Sequence, residues 1–315
     1  MRVHYHIDEL PFFRRAVITI GTFDGVHTGH QQLLQQLKDE AARIDGETVI
    51  ITFHPHPRKI VSGHSNEIRL INTLEEKIGL LAQAEMDHLV VVPFTEAFSQ
   101  LTASQYIEDF LVNRFHPHTI IIGYDHQFGK GRLGDYRLLE SYCAPLGYVL
   151  KEIPVHISDT ISVSSTRIRQ ALMEADLATA NQLLGYAFFF TGTVITGNRL
   201  GRTIGYPTAN LEIGDPEKIV PGDGVYAVEA ELDHSQLTTH RFRGMMNIGL
   251  RPTVDGKKRT IEVNLFDFDE DIYGQRLRVH LIKHLRGEQK FNGLDALKEQ
   301  LARDREQALE ALGRS

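Results

Sequence analysis

Four short runs rich in β-branched and aliphatic residues recur through the first half of this chain: AVITIG (16–21), TVIITF (48–53), HLVVVPF (88–94) and TIIIG (119–123). Between them lie segments with helical spacing, GHQQLLQQLKDEAARI (29–44), TLEEKIGLLAQA (73–84) and a third near 103–115. Thr73 stands as N-cap with Glu76 three residues on, the pattern of a capping box. Strands that are apolar on both sides, separated by helices, require a parallel sheet covered on both faces. The reading is an open, doubly wound α/β domain, an architecture that binds ligands at the carboxyl ends of its strands. The unusual residues fall there. GTFDGVHTGH follows the first run, HPHPR (54–58) the second, and GYDHQFGKGRLGD (123–135) the fourth.

A helix is expected over about 165–184, and after it the pattern changes. FFFTGTVITG, GVYAVEAEL, HRFRGMMNIG, TIEVNLFDF and LRVHLIKHL follow at short intervals with glycine punctuation. These read as antiparallel strands that close into a small barrel. The chain then runs into LDALKEQLARDREQALEAL (294–312), where Leu294, Leu297, Leu301, Ala308 and Leu312 form the apolar stripe of a helix packed on that barrel. A length of 315 residues fits two domains. The composition shift places them at 1–186 and 187–315.

The balance of charge narrows the function. A formal net charge of −7 argues against a broad nucleic-acid surface, while leaving room for a small basic pocket. Cys143 is the lone cysteine, which excludes an internal disulfide framework and fits a reducing cytoplasm. The first ten residues hold no apolar core of leader length, and no apolar run approaches the ~20 residues needed to span a bilayer. A soluble, cytoplasmic protein without a membrane partner is expected.

The mouth of the first helix carries the chemistry. A helix N-terminus offers unpaired N–H groups and a partial positive charge, so it attracts phosphate. His27 and His30 are three apart on one side of the first turn, and Gly29 leaves the backbone open to a phosphate. Two imidazoles aimed at one phosphate would stabilise charge developing during displacement at phosphorus. Alternatively, they only cap the helix. A second cluster, SSTRIR (164–169), presents the hydroxyls of Ser164, Ser165 and Thr166 at another helix start, with Arg167 and Arg169 available for charge-assisted bonds. Alone, it reads equally as an N-cap and a basic face. In HPHP the prolines favour an extended chain with His54 and His56 pointing the same way. A metal pair there has no third ligand nearby in sequence.

GTFDGVHTGH and SSTRIR resemble the two signatures of the HxGH nucleotidylyltransferases. With TFHPHP, EEKIGLL and GYDHQFGKGR, the first half resembles the adenylyltransferase part of the bacterial bifunctional riboflavin kinase/FMN adenylyltransferases, and the resemblance runs through nearly the whole chain. It implies that His27 and His30 contact the phosphates of ATP, within a nucleotide loop of Gly21, Phe23, Asp24, Gly25 and Gly29. SSTRIR would grip the triphosphate tail, and Asp125 would serve adenosine or flavin. His54, Pro55, His56 and Pro57 would lie near the flavin or ribose–phosphate pocket. His126 departs from the aromatic common in relatives.

No P-loop occurs, since GKGR and GKKR both lack the required pattern. Instead GNRLGRTIGYPTANL (197–211) resembles the riboflavin kinase signature, supported by GDGVYAV, NIGLRPT, DIYGQRLRV and LRGEQKF. The resemblance implies ATP contacts from Gly197 and Arg202. Thr208 and Asn210 would be neutral oxygen ligands for Mg²⁺, which takes much of its remaining coordination from substrate phosphates. Glu262 would be the base that helps deprotonate the ribityl hydroxyl, although its alternation with Ile261, Val263 and Leu265 also allows an outward-facing strand residue. Relatives often carry His where Asn264 stands. Arg286 and Phe291 would belong to a segment covering bound flavin. The implied reactions convert riboflavin and ATP to FMN and ADP, then FMN and ATP to FAD and pyrophosphate. The alternatives are a nucleotidylyltransferase for another phosphorylated substrate, or a non-catalytic flavin- or nucleotide-binding regulator.

Overall fold

Val17–Ile20 (β2), Thr48–His54 (β3), His88–Pro93 (β4) and Thr119–Ile122 (β5) form the expected sheet, each parallel to its neighbours. The computed structural model describes residues 1–61, 69–123, 126–153, 165–197, 200–232, 241–253 and 256–313, in two compact units, Met1–Thr166 and Arg167–Ser315. Two edge strands complete the sheet of the first unit, Arg2–His4 (β1) and Val149–Glu152 (β6), in the order β1-β4-β3-β2-β5-β6. The chain leaves β2 in one direction toward β3 and later crosses to β5 on its other side. The carboxyl ends of β2 and β5 therefore flank the switch point of a doubly wound sheet.

Both faces are covered. Ile18, Val49, Ile51, Val90 and Ile120 pack with Phe110, Phe115 and Leu139, while Val17, Ile50, Leu89 and Ile121 pack with Leu33, Leu34 and Leu37. Those last three leucines belong to helix α1, Thr28–Ile44. The helix Leu74–Gln83 has the expected capping box, with Thr73 and Glu76 bonded in both directions. The helix over 103–115 contains a π-helical stretch, Tyr106–Val112.

In the second unit Phe189–Ile195 (β7), Ala209–Glu212 (β8), Gly224–Leu232 (β9), Phe242–Thr253 (β10), Gly256–Leu265 (β11) and Arg276–Arg286 (β12) close an antiparallel barrel in the order β10-β11-β8-β7-β12-β9. On the helix Leu294–Ala311, Ala308, Leu301 and Leu312 pack with Ala227, Met245 and Phe266. Leu294 is exposed, so the packed stripe starts later than its sequence implies.

The single helix expected over 165–184 is two. It runs over 165–173 and resumes at Leu177–Leu184, because Ala175 turns left-handed (φ 60°) and Asp176 caps the second piece by accepting the Thr179 N–H at 3.1 Å. From Leu172 onward both pieces bond within the second unit. Gly222 N donates to the Leu172 carbonyl at 2.9 Å, Asn181 Nδ2 to the Leu281 carbonyl at 3.0 Å, and Phe188 N to Asn181 Oδ1 at 2.8 Å. The compact unit therefore begins before the composition shift at Tyr186.

Candidate active sites

At the carboxyl end of β2 the chain turns through Phe23 (φ 48°), Gly25 (φ 95°) and Val26 (φ 38°) before entering α1. His27 is the N-cap of that helix. Its Nδ1 accepts the His30 N–H at 3.4 Å, so the neutral ring carries its proton on Nε2. That N–H donates to Ser165 Oγ at 3.1 Å, and the Ser165 hydroxyl donates to the Asp24 carbonyl at 3.2 Å. The structure thus joins Ser165, from the second phosphate motif, to the first. His27 caps the helix and also belongs to this relay.

The His27 and His30 rings stack at 3.8 Å, with Phe23 at 5.0 Å from His30. His30 is 6% exposed, and its Nδ1 is buried without a hydrogen-bond partner among the described residues. Burial, then the neighbouring His27 and Lys77, hold its imidazole well below its usual pKa. It is therefore a neutral ring at neutral pH. A buried ring nitrogen without a protein partner calls for an explanation.

Other nearby residues have visible partners. The Asp24 carboxylate accepts N–H bonds from Ile71 (2.9 Å) and Asn72 (3.2 Å). Gly21 N donates to the Ile51 carbonyl at 3.0 Å, and a side chain at Gly21 would press on Phe23. Gly29 is buried in the first turn of α1. His54 ends β3 exposed, and His56 Nδ1 accepts the Arg58 N–H at 3.2 Å. The expected continuous extended run through HPHP stops at Pro57, which opens the short helix Pro57–Val61; proline suits a first helical position. Among the described residues no group of three His, Cys, Asp or Glu could hold a metal. His126 stacks on Phe128 at 5.8 Å. Asp125 and Ser164 lie outside the described residues. Thr166 and Arg167 are exposed and Arg169 half-buried.

The barrel unit holds a cavity of about 340 Å³ lined by Thr208, Glu262, Asn264, Asn247, Arg286, Glu288, Phe291 and Asp304, with Tyr206, Met245, Met246, Leu297 and Leu301 among its apolar wall. Three adjacent strands place Asn247, Glu262 and Asn210 in one cross-strand row. Side chains paired in this way share a face of the sheet. Glu262 is 8% exposed and accepts the Thr260 hydroxyl at 3.3 Å, so it is not an outward-facing strand residue. Asn264 Nδ2 donates to the Pro207 carbonyl at 2.7 Å, fixing the turn that carries Thr208. A Cβ at Gly197 would overlap the Asn210 amide, which explains a glycine there. Arg202 is exposed on the short helix Leu200–Thr203.

The Arg286 guanidinium reaches Asp304 of the C-terminal helix through Nε (2.9 Å) and Nη2 (2.7 Å), and stands 5.7 Å from the Phe291 ring. Asp304 is fully buried and also accepts Gln300 Nε2 at 2.9 Å.

A family model described as FAD synthetase matches residues 11–167, and one described as riboflavin kinase matches residues 184–312. The bifunctional riboflavin kinase/FMN adenylyltransferase of Escherichia coli (strain K12) is 39% identical over 298 residues, 95% of this chain and 93% of its own. This chain belongs to that family. The Bacillus subtilis (strain 168) member is 36% identical over 299 residues, 94% of this chain and 92% of its own. A crystal structure described as a macrolide-efflux protein from Streptococcus pneumoniae superposes with a TM-score of 0.84 at 30% identity, covering 97% of each chain. No helix among the described residues here is long and apolar enough to cross a membrane.

As a bifunctional riboflavin kinase/FMN adenylyltransferase, the chain phosphorylates riboflavin to FMN with ATP and adenylylates FMN to FAD, releasing pyrophosphate. Sequence reasoning overlooked Lys77 and Asp304. Each had a signal. Lys77 falls between Leu74 and Leu81, and Asp304 between Leu301 and Ala308, at the three- and four-residue spacing of a buried helix face. A charge on such a face needs a partner.

Proposed function

We propose that residues 1–186 carry FMN adenylylation and residues 187–315 riboflavin phosphorylation, a division supported by the ranges that the two family models match. In the first half the FMN phosphate attacks ATP directly, so the protein needs no nucleophile of its own. Its task is to place two phosphates and stabilise the charge that develops between them. Neutral His30 donates an N–H to that charge, His27 and Ser165 hold the α1 mouth in register, and Arg167 and Arg169 serve the triphosphate tail. The observation behind this assignment is the buried His30 nitrogen beside the relay that links the two motifs.

In the second half Glu262 accepts the proton of the ribityl hydroxyl as the bond to phosphorus forms. Its buried carboxylate opens on the cavity shared with Thr208 and is paired across the strands with Asn210. Thr208 and Asn210 fit Mg²⁺, because two neutral oxygens suit an ion that takes its other ligands from substrate phosphates and water. When bound, Mg²⁺ supplies charge neutralisation on ATP. Arg286 and Phe291 stand over the flavin side of the cavity. The enzyme's partners are small molecules: riboflavin, FMN, FAD, ATP, ADP and pyrophosphate. It works in the cytoplasm without nucleic-acid or membrane partners, a reading supported by its acidic balance and single cysteine.

The test is Glu262→Gln. Gln keeps the shape but cannot take a proton, so phosphorylation of riboflavin should fall about 10²–10⁴-fold. FAD formation from added FMN should stay near wild type. Equal losses in both assays, or none in either, would remove Glu262 from the base role.

A further inference from the structure

The turn between β2 and α1 holds non-glycine residues at Phe23 (φ 48°) and Val26 (φ 38°). A left-handed conformation is rare for a bulky residue and rarer for a β-branched one. Such backbone persists only where its surroundings over-determine it. Two ties do so here, running in opposite directions. Asp24 reaches out of the turn to the amides of Ile71 and Asn72, just ahead of the helix Leu74–Gln83. From that helix Lys77 reaches back, donating through Nζ to the Thr22 carbonyl at 2.6 Å and to Thr52 Oγ1 at 3.4 Å. Thr52 Oγ1 itself donates to the same Thr22 carbonyl at 3.3 Å.

Lys77 is 8% exposed. Burial pulls its ammonium down to about 8, with Asp24 partly opposing the shift. Lys77 is thus a buried cation held by a carbonyl and a hydroxyl of the turn and the neighbouring strand. We propose that Lys77 is a positioning residue for adenylyl transfer, holding the Thr22–Val26 turn in the conformation that delivers His30, through the α1 mouth held by His27 and Ser165, to the phosphates. This rests on the role assigned above to the two histidines. Lys77 acts through them, since its ammonium is already given to the turn.

The experiment is a double-mutant cycle on the full chain, made of Lys77→Met, His30→Ala and the double variant. Each is assayed for FAD formation from FMN and for FMN formation from riboflavin. Lys77→Met should lower kcat for FAD formation about 10²-fold, the scale of a small misplacement of reacting groups. KM for FMN and ATP should move little, the mark of a loss confined to the transition state. FMN formation should be unchanged. The double variant should be no slower than His30→Ala alone, because both changes remove one function. A merely structural lysine would instead give additive losses, or a loss in both activities, and either result overturns the proposal. So does a Lys77→Met enzyme within about twofold of wild type for FAD formation. If Lys77→Met does not fold, Lys77→Gln, which keeps an N–H donor but no charge, is read in the same way. A His30→Ala enzyme of normal FAD-forming rate would refute the histidine assignment itself, whatever Lys77 does.

Discussion

Asp304→Asn tests how the kinase cavity is closed. The carboxylate is fully buried and accepts three bonds, two from the Arg286 guanidinium at 2.9 and 2.7 Å and one from Gln300 at 2.9 Å. The Arg286 side chain is itself only 15% exposed, so water cannot replace the lost charge. Removing one partner of a buried pair typically costs about 3–5 kcal/mol, since the other charge is left uncompensated. That is a large share of the roughly 5–15 kcal/mol that stabilises a domain. The remaining attachment of the C-terminal helix is apolar packing centred on Ala308 and an exposed pair between Arg305 and Asp267 at 3.1 Å. Leu297 and Leu301 of that helix form part of the cavity wall. Loosening it should therefore raise KM for riboflavin while FAD formation from FMN continues. The protein has no tryptophan, so unfolding is followed by calorimetry or far-UV circular dichroism. Exchanging the pair for apolar residues, Arg286→Met with Asp304→Leu, should recover most of the stability, as buried pairs replaced by hydrophobic side chains often do. It should not recover riboflavin binding if Arg286 serves the flavin. A loss below about 1 kcal/mol for Asp304→Asn, the value of a surface pair, would refute the reasoning.

His30→Ala should slow FAD formation about 10²–10³-fold, the cost of a lost oxyanion-type donor, while FMN accumulates from riboflavin; undiminished FAD formation would show that the orphaned nitrogen has no catalytic role. Asn264→Leu keeps the branched shape in a somewhat larger side chain but releases the Pro207 carbonyl, so kinase activity should fall with a rise in KM for ATP; an unchanged KM would detach Thr208 from the nucleotide site. Lys77 also predicts a pH dependence. Its folded value of about 8 lies below the ordinary 10.5, so between those values the unfolded chain binds more protons and stability rises with pH. Urea midpoints for wild type should climb from pH 8 to 9.5 relative to Lys77→Met, and parallel curves would contradict the shift.

What could be read in the sequence divides along physical lines. β2, β3, β4 and β5 announce themselves because central parallel strands must be apolar on both faces. β1 and β6 do not, being short edges of three and four residues with mixed exposure. β8 is equally short and follows Pro207, so ANLE reads as the end of a turn. The His27–Gly29–His30 mouth is legible because it is local. The bond from Asn264 to Pro207 spans 57 residues and that from His27 to Ser165 spans 138, distances over which no pattern in a single sequence reports a partner. The break at Ala175 hides because Ala is the best helix former and nothing in EADLATA except Asp176 marks a new N-cap.

The buried charges of the two units share a logic. Lys77, with Asp24 alongside it, ties the turn ahead of α1 to the helix Leu74–Gln83; Asp304 and Arg286 tie the C-terminal helix to the barrel. Each unit thus braces one element with a buried ion, while the groups proposed to act at the reacting phosphate and at Mg²⁺, His30 in one and Thr208 with Asn210 in the other, are neutral. The division follows from electrostatics. A buried charge used as a brace has its field absorbed by its partner, so it cannot also meet a phosphate at full strength. A neutral donor in a dry site has no such prior engagement, and its dipole is already aimed when charge develops. For that reason substitutions at the bracing charges should alter geometry and stability together. Substitution at His30, the neutral donor, should alter rate alone.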